Sequence, residues 1–200
     1  FHEKPFAGLN GSGKHCNWSM VTDRGDNLLE PGRTPHQNLR FLAMLAACLK
    51  GVHCHSIALR YSIANANNDL RLGANEAPPA ILSVFVGEQL TDIIEKTIAG
   101  VKGKDPEKFV LEVGVGKLPS VSRDNTDRNR TSPFAFTGNK FEYRAVGSSA
   151  NCAGPMAMLN AAVADALSQM AKGLKTRLDA GQPRDAAVLD LLREVFTETT

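Results

Sequence analysis

Apolar and polar residues alternate in two stretches of the chain, and this alternation predicts β-strands. In residues 14–20 it places one polar set on a single face of an extended segment, consisting of His15, Asn17 and Ser19. In the second stretch, Phe141 and Tyr143 share one face, and the opposite face carries Lys140, Glu142 and Arg144. Residues 137–139 are turn-forming, so residues 134–147 predict a β-hairpin.

Apolar residues recur every three or four positions after residue 35, which is the period of an amphipathic α-helix. Thr34 and Pro35 are typical of an N-cap and a first helical turn. Gly51 predicts a break before a second helix, and residues 69–79 predict an irregular loop. Further helices are predicted from about residue 151 and from residue 184. Helices and strands mix without regular βαβ alternation, which favours an α+β fold.

Composition narrows the classes of protein that the chain can represent. Its 200 residues suit one domain or part of a larger one, and the absence of an initiator Met indicates a piece of something longer. The net charge is +2 without clustered Lys or Arg, which argues against a dedicated nucleic-acid-binding protein. No apolar run reaches the roughly 20 residues of a membrane span. The 4 widely spaced cysteines are typical of reduced thiols, so we expect a cytoplasmic protein.

The segment from Gly8 to Lys14 fits the phosphate-binding P-loop pattern except at its last position. A P-loop has Ser or Thr after the lysine, and this chain has His15. A P-loop also needs a helix at that point, because the helix N-terminus holds the phosphates. The alternation after Lys14 predicts a strand, so we interpret the segment as a nucleotide and metal site on a sheet. In that interpretation His15 is a metal ligand and Ser19 a phosphate contact; a glycine turn without any ligand is the simpler alternative.

Other polar segments supply the chemistry of metal-assisted phosphoryl transfer, although each alone would be typical of a solvated surface. They contribute Arg71 and Glu76, Arg128 and Arg130, and the polar face of the predicted hairpin. A carboxylate between cations can bind a divalent metal while the cations hold phosphate. His53 and His55 face different directions on a helix, so we interpret them as structural.

Four segments, in order, resemble successive catalytic-domain motifs of glutamine synthetase, most closely its type III branch. They read KPFAGLNGSGKHCNWSM, RLGANEAPPA, DRNRTSPFAFTGNKFEYR and SSANCAGPM. The resemblance implies a glutamine synthetase/guanidino kinase-like fold, in which an antiparallel sheet has flanking helices. It also implies that residues 1–200 are a C-terminal portion of the catalytic domain, without the N-terminal β-grasp domain and the first catalytic strands.

The same resemblance implies an ATP-dependent glutamate–ammonia ligase of nitrogen metabolism that forms glutamine through γ-glutamyl phosphate. Mg²⁺ or Mn²⁺ would be the cofactor, ATP the co-substrate, and a dodecamer of two hexameric rings the assembly. No nucleic-acid or membrane partner is implied. Because the family's site needs further glutamates from preceding strands and a neighbouring subunit, we expect the isolated chain to be inactive.

Residue roles carry over from the resemblance by position. The metal ligands would be His15 and Glu142. Substrate glutamate would contact Asn10, Gly11 and Arg71. The catalytic residues would be Glu76, Arg130 and Arg144. The nucleotide would contact Ser19, Asn17 and Lys140. Asn17 stands where much of the family has a second histidine, which fits the type III branch.

Three other hypotheses remain open at the level of sequence. The first is a related ligase that joins glutamate to another amine, and the second is a non-catalytic homologue. The homologue would be expected to lack some of the residues His15, Arg71, Glu76 and Glu142, and all of them are present. The third is a P-loop kinase, which a helix directly after Lys14 would favour.

Overall fold

The computed structural model describes residues 3–8, 10–74, 77–100 and 131–200. The strands in these ranges are β1 (Gly13–Trp18), β2 (Val84–Phe85), β3 (Phe134–Phe136) and β4 (Phe141–Gly147). The α-helices are α1 (Leu39–Ser62), α2 (Ala66–Arg71), α3 (Glu88–Ala99), α4 (Ala153–Asp179) and α5 (Arg184–Thr199). A short 3₁₀ turn, Pro35–Gln37, precedes α1. The architecture is α+β, as the sequence predicts.

The four described strands form one mixed sheet in the order β1-β4-β3-β2. β4 is antiparallel to both β1 and β3, whereas β2 runs parallel to β3. The predicted antiparallel sheet is therefore confirmed for β1, β4 and β3, whereas the edge strand β2 departs from it. Parallel neighbours need a crossover connection, and the chain from β2 to β3 passes through α3 before it returns. The predicted hairpin is confirmed, since Phe136 pairs with Phe141 across the turn.

Aromatic side chains join the sheet to the helical layer. Phe134 stacks on Phe141 with a centroid distance of 4.2 Å, and Tyr143 meets Phe134 edge-on at 5.8 Å. Phe41 of α1 contacts Phe136 at 5.8 Å. These rings are almost fully buried, so one face of the sheet forms a core with α1. The opposite face of β1 and β4 is left for polar side chains.

α1 continues through Gly51, where the sequence predicted a break, and is kinked instead at His55, where two helical segments join. Gly51 lies in its middle and is buried, and a Cβ there would lie 3.0 Å from the carbonyl oxygen of Ala162 in α4. This glycine therefore serves a close helix–helix approach and not a helix end. The only irregularity within α1 is His55, with φ −116° and ψ 21°. The N-cap is Asn38, whose side chain accepts from Phe41 N at 3.0 Å, and not the predicted Thr34.

By length and composition, α1 is the one helix in the described ranges that would suffice to cross a membrane. Core helices of water-soluble proteins pass the same test. Here Leu42, Leu45 and Leu59 are almost completely buried, and α1 packs against α4 and α5. Its apolar character is therefore accounted for by the core of this fold.

The predicted loop of residues 69–79 begins inside a helix. α2 ends at Arg71, and its N-cap Asn65 accepts a hydrogen bond from Asn68 N at 2.8 Å. The sequence did not predict this helix because two successive asparagines follow Ala66, and asparagine favours turns and helix caps over helix interiors. The short helix matters for function because it brings Asn68 and Arg71 beneath β4.

Candidate active site

The exposed face of β1 and β4 carries a row of three ionisable side chains. His15 Nδ1 lies 2.9 Å from Glu142 Oε1, and Arg144 Nε donates to Glu142 Oε2 at 2.8 Å. The carboxylate is thus held from both sides. The Arg144 side chain is 4% exposed, whereas those of His15 and Glu142 are 32% and 21% exposed. The row therefore runs from a buried cation to an accessible imidazole.

A β-bulge aligns this row. Lys14 pairs with Val146 and Cys16 pairs with Tyr143, so His15 alone faces two residues of β4. Bulges bend the strand that carries the extra residue and re-aim its side chains. Glu142 pairs with Asn17, which shares the face of His15, and the imidazole therefore reaches the carboxylate diagonally across the strand pair. The predicted shared face of His15 and Asn17 is confirmed: both are exposed, and their neighbours in β1 are half-buried.

The charge state of Glu142 is set by competing effects. Burial alone would raise its pKa, but the hydrogen bond and charge of Arg144, joined by His15, outweigh burial. The pKa of Glu142 therefore lies below its ordinary value, and the side chain is a carboxylate throughout the physiological pH range. An ionised carboxylate beside an imidazole is a donor pair suited to a divalent cation.

The distance between the two donor atoms fits a shared ion. Two ligands at right angles, each about 2.1 Å from one Mg²⁺, are about 3.0 Å apart. His15 Nδ1 and Glu142 Oε1 are 2.9 Å apart. Without an ion the same separation serves a hydrogen bond. Within the described ranges, His, Cys, Asp and Glu form no group of three or more around such a point, so this chain's described residues offer two ligands.

Arg71 lies directly behind this row, at the end of α2. Its Nε donates to Asn68 Oδ1 at 2.9 Å, and its Nη2 donates to the carbonyl oxygens of Arg144 and Val146 at 3.2 and 3.3 Å. Asn68 Nδ2 in turn donates to the carbonyl of Ala145 at 2.9 Å. Two side chains of α2 thus bind three successive carbonyl oxygens, those of residues 144–146. These residues of β4 lie beyond the part that pairs with β3, so β3 does not bind their carbonyls.

Two of the predicted glutamate-binding residues, Gly11 and Arg71, lie against each other at this point. A Cβ at Gly11 would overlap the Arg71 side chain, and a Cβ at Gly13 would overlap its guanidinium. Both glycines are therefore required by close packing on Arg71. Asn10 is exposed just before them. Arg71 itself is only 2% exposed, so it supports the loop from beneath in this structure. Burial lowers the pKa of Arg71, and the nearby charge of Glu3 counteracts it.

The predicted nucleotide-binding residues gather at the other end of β1. Ser19 Oγ donates to Asn27 Oδ1 at 2.6 Å and approaches the carbonyl of Asn139 at 3.4 Å. Asn27 Nδ2 also donates to that carbonyl, at 2.7 Å. Asn139 precedes Lys140 in the hairpin turn, so Ser19 and Lys140 lie near one end of the paired strands β1 and β4. Asn17 lies between this end and the metal-ligand row, since it pairs with Glu142 across the two strands.

Comparison with curated proteins shows what this chain is similar to. The chain is 50% identical over 197 residues to a glutamine synthetase of Bacteroides fragilis, an alignment that covers 97% of the chain. It is 54% identical over 167 residues, 84% of the chain, to a type-3 glutamine synthetase of Dictyostelium discoideum. It is 52% identical over 141 residues, 70% of the chain, to a glutamine synthetase of Butyrivibrio fibrisolvens.

Over most of its own length the chain is therefore similar to a part of glutamine synthetases. The resemblance to the type III branch is likewise confirmed by the name of the Dictyostelium relative. The chain spans about a quarter of the length of these relatives: 27%, 23% and 20%. No family model matches it.

The structure also shows that the P-loop hypothesis is wrong. β1 begins at Gly13 and continues through Trp18, so a strand follows Lys14 where a P-loop requires a helix. The Lys14 ammonium donates to the carbonyl of Ala150, in the turn before α4. Trp18 Nε1 donates to Asn160 of α4 at 2.7 Å. These two contacts fix β1 against α4 and leave His15 on the free face.

Two predicted catalytic residues of the glutamine synthetase motifs, Glu76 and Arg130, lie outside the described residues. The histidine pair behaves as the sequence predicts. His53 is exposed, and His55 Nε2 lies 2.9 Å from Asp165 Oδ2 of α4, in a contact between helices.

Sequence reasoning missed two buried polar residues near the candidate site, Asn68 and Glu3, both with 0% exposure. Neither has a pattern that marks it, since Asn68 follows another asparagine and Glu3 precedes the glycine loop. The only sequence signal for them was indirect. The small residues Gly11 and Gly13 leave room for a large side chain such as Arg71, and a buried cation needs polar partners nearby.

Proposed function

We propose that this chain is the C-terminal portion of a catalytic domain that ligates ammonia to L-glutamate at the expense of ATP. The observation that carries the proposal is the row of His15, Glu142 and Arg144 on β1 and β4. This row lies between the glycine loop, proposed to bind glutamate, and the end of the strands near Ser19 and Lys140, proposed to bind the nucleotide. The 50–54% identity to glutamine synthetases supports the same reaction. The glutamine synthetase/guanidino kinase-like fold, a dodecamer of two hexameric rings and a cytoplasmic location belong to this proposal.

His15 Nδ1 and Glu142 Oε1 would hold Mg²⁺ or Mn²⁺, with further ligands from parts of the protein outside this chain. When bound, the ion would neutralise the transferred phosphoryl group and so favour attack by an anionic carboxylate. Arg144 keeps Glu142 ionised and directs one of its oxygens away from His15. This leaves the other oxygen facing His15 Nδ1, so that both atoms would be able to reach one ion.

The remaining residues divide into two binding sets. Asn10, Gly11 and Arg71 would bind glutamate, and Ser19, Asn17 and Lys140 would bind ATP. The γ-carboxylate of glutamate would attack the γ-phosphorus of ATP and release ADP. Ammonia would then attack the γ-carbonyl carbon of γ-glutamyl phosphate and release phosphate. The role of Arg71 in binding glutamate rests on the family resemblance. Its observed contacts show a second role, in which Arg71 supports the glycine loop and β4.

Roles for Glu76 and Arg130 rest on the family resemblance alone. Glu76 would take a proton from the ammonium adduct, and Arg130, with Arg144, would stabilise phosphate. Removal of that proton would make the attack of ammonia irreversible under the reaction conditions.

The decisive experiment is an assay of the full-length protein for ADP release that requires both glutamate and ammonia. We expect turnover with Mg²⁺ or Mn²⁺ and none from residues 1–200 alone, because the residues that the structure describes offer only two ligands for the metal. Turnover by the isolated chain would contradict the fragment proposal. Turnover with an alkylamine but not with ammonia would instead support a glutamate–amine ligase. No turnover with any amine would favour a non-catalytic homologue.

A further inference from the structure

Glu3 is a carboxylate with 0% exposure, which is rare unless charge and hydrogen bonds compensate for the loss of water. Its Oε1 accepts from Ser149 N at 3.1 Å and from the Ser149 hydroxyl. Its negative charge also acts on the guanidinium of Arg71. The side chain therefore connects the turn before α4 with the buried cation behind the metal-ligand row.

The backbone of Glu3 extends the same junction to the glycine loop. Its carbonyl oxygen accepts from Ser12 N at 2.7 Å. A Cβ at Gly11 would lie 2.9 Å from that oxygen, and a Cβ at Gly147 would lie 2.7 Å from Glu3 Oε1. Two glycine-containing segments thus close around one residue. Substitution of either glycine would displace Glu3 or the loop that rests on it.

We propose that Glu3 is a positioning residue that fixes the glycine loop and Arg71 relative to each other, and thereby shapes the glutamate-binding site. This inference rests on the proposed function. Glu3 holds the loop through its backbone and Arg71 through its charge, so the two halves of the glutamate set depend on it together. The nucleotide set is held differently, since Ser19 is bonded to Asn27 and Asn139 at the other end of β1.

The inference predicts a separation of the two Michaelis constants in the full-length enzyme. Glu3→Gln keeps the shape and an acceptor for Ser149 but removes the charge beside Arg71. We expect it to raise KM for glutamate by about 10-fold and to leave KM for ATP within about 2-fold of the unchanged enzyme. Ser149→Ala removes only the hydroxyl donor and should raise KM for glutamate by about 3-fold.

A matched control is Thr97→Val in α3, which removes another buried hydroxyl, one that donates to the carbonyl of Ile93 at 2.7 Å. It should leave both Michaelis constants unchanged. If Glu3→Gln and Ser149→Ala lower thermal stability but keep KM for glutamate, Glu3 is structural only and the inference is overturned. Equal increases in both Michaelis constants would also overturn it. If the unaltered full-length protein shows no glutamate-dependent ADP release, the proposed function fails instead, which separates the two outcomes.

Discussion

Two histidine–carboxylate pairs in this chain have the same length and different surroundings. His15 and Glu142 lie 2.9 Å apart on the sheet, and His55 and Asp165 lie 2.9 Å apart between α1 and α4. The Asp165 side chain is 48% exposed, while that of Glu142 is 21% exposed. Each histidine lowers the pKa of its carboxyl partner, so the local electrostatics are similar.

The two pairs differ in whether the carboxyl oxygen that does not face the histidine is also hydrogen-bonded. Glu142 has the buried guanidinium of Arg144 behind it, on a strand whose bulge carbonyls are bound by α2. For Asp165, both the histidine and Gln169 bond to Oδ2, on the surface of a helix. A short contact is therefore a poor guide to function by itself. A preorganised pair, in which a rigid buried cation fixes the acceptor, is the arrangement that a metal site requires.

The largest effect should come from removing the sheet histidine. His15→Ala in the full-length protein should weaken Mn²⁺ binding by at least about 100-fold, since loss of a direct ligand exceeds the effect of an outer-shell change. His55→Ala removes the helical counterpart and should leave Mn²⁺ binding unchanged. Isothermal titration of both variants measures this. Equal affinities for Mn²⁺ in the two variants would mean that the sheet pair is structural.

A smaller effect is expected from the cation behind Glu142. Arg144→Met preserves much of the buried volume but removes the donor to Oε2, so Glu142 loses its fixed orientation. We expect Mn²⁺ binding to weaken by about 10-fold. Arg60→Met is the control, because Arg60 makes a similar bond to Asp69, of 2.6 Å, away from the site. A loss of Mn²⁺ affinity in both variants would indicate a general destabilisation.

The scaffold of the helical pair can be perturbed separately. Gly51→Ala places a methyl group against the Ala162 carbonyl and should destabilise the protein by about 1–3 kcal/mol, because α1 and α4 must separate. Gly154→Ala, where a Cβ meets nothing within 4 Å, should be neutral or slightly stabilising. Thermal unfolding of the full-length protein tests the difference. Mn²⁺ affinity should stay unchanged in both variants, and its loss in Gly51→Ala would show that the two regions are coupled.

The smallest effect concerns Asp165 and pH. The hydrogen bond from His55 leads the causes that lower the pKa of Asp165 in the folded protein. The stabilisation is therefore present above the unfolded-state pKa, about 3.9, and is lost as pH falls through the lower folded-state value. The thermal midpoint of Asp165→Asn should lie slightly below that of the unchanged protein at about pH 6, and the difference should vanish towards about pH 3. A difference independent of pH would contradict this origin.

The sequence predicted those parts of the site that depend on a local period. Alternation placed His15 and Asn17 on one face of β1, and the hairpin follows from residues 137–140. The bulge that brings His15 to Glu142 depends on the pairing of strands more than 120 residues apart, which no local pattern records. Sequence resemblance, and not periodicity, supplied the roles of these residues.

The errors share a physical cause. Gly51 was interpreted from its helix propensity, but its position is decided by the backbone of α4. Asn68 and Glu3 are polar residues that would ordinarily be exposed, and only the folded chain reveals that they surround Arg71. In each case a tertiary contact overrides the local preference, and the parallel edge strand β2 is the same kind of error at the level of the sheet.

The bulge also divides β4 into two halves of opposite phase. Up to Tyr143, odd-numbered residues share a face with Cys16 and Trp18 of β1, and beyond the bulge that face passes to the even-numbered Val146, opposite Lys14. Deleting one residue at position 145 would let the strands pair regularly and would keep Val146 opposite Lys14, yet it would remove the bend beside His15 and the carbonyl that Asn68 Nδ2 binds. Homologous chains should therefore keep the number of residues between Glu142 and Gly147 constant even where the residues themselves change.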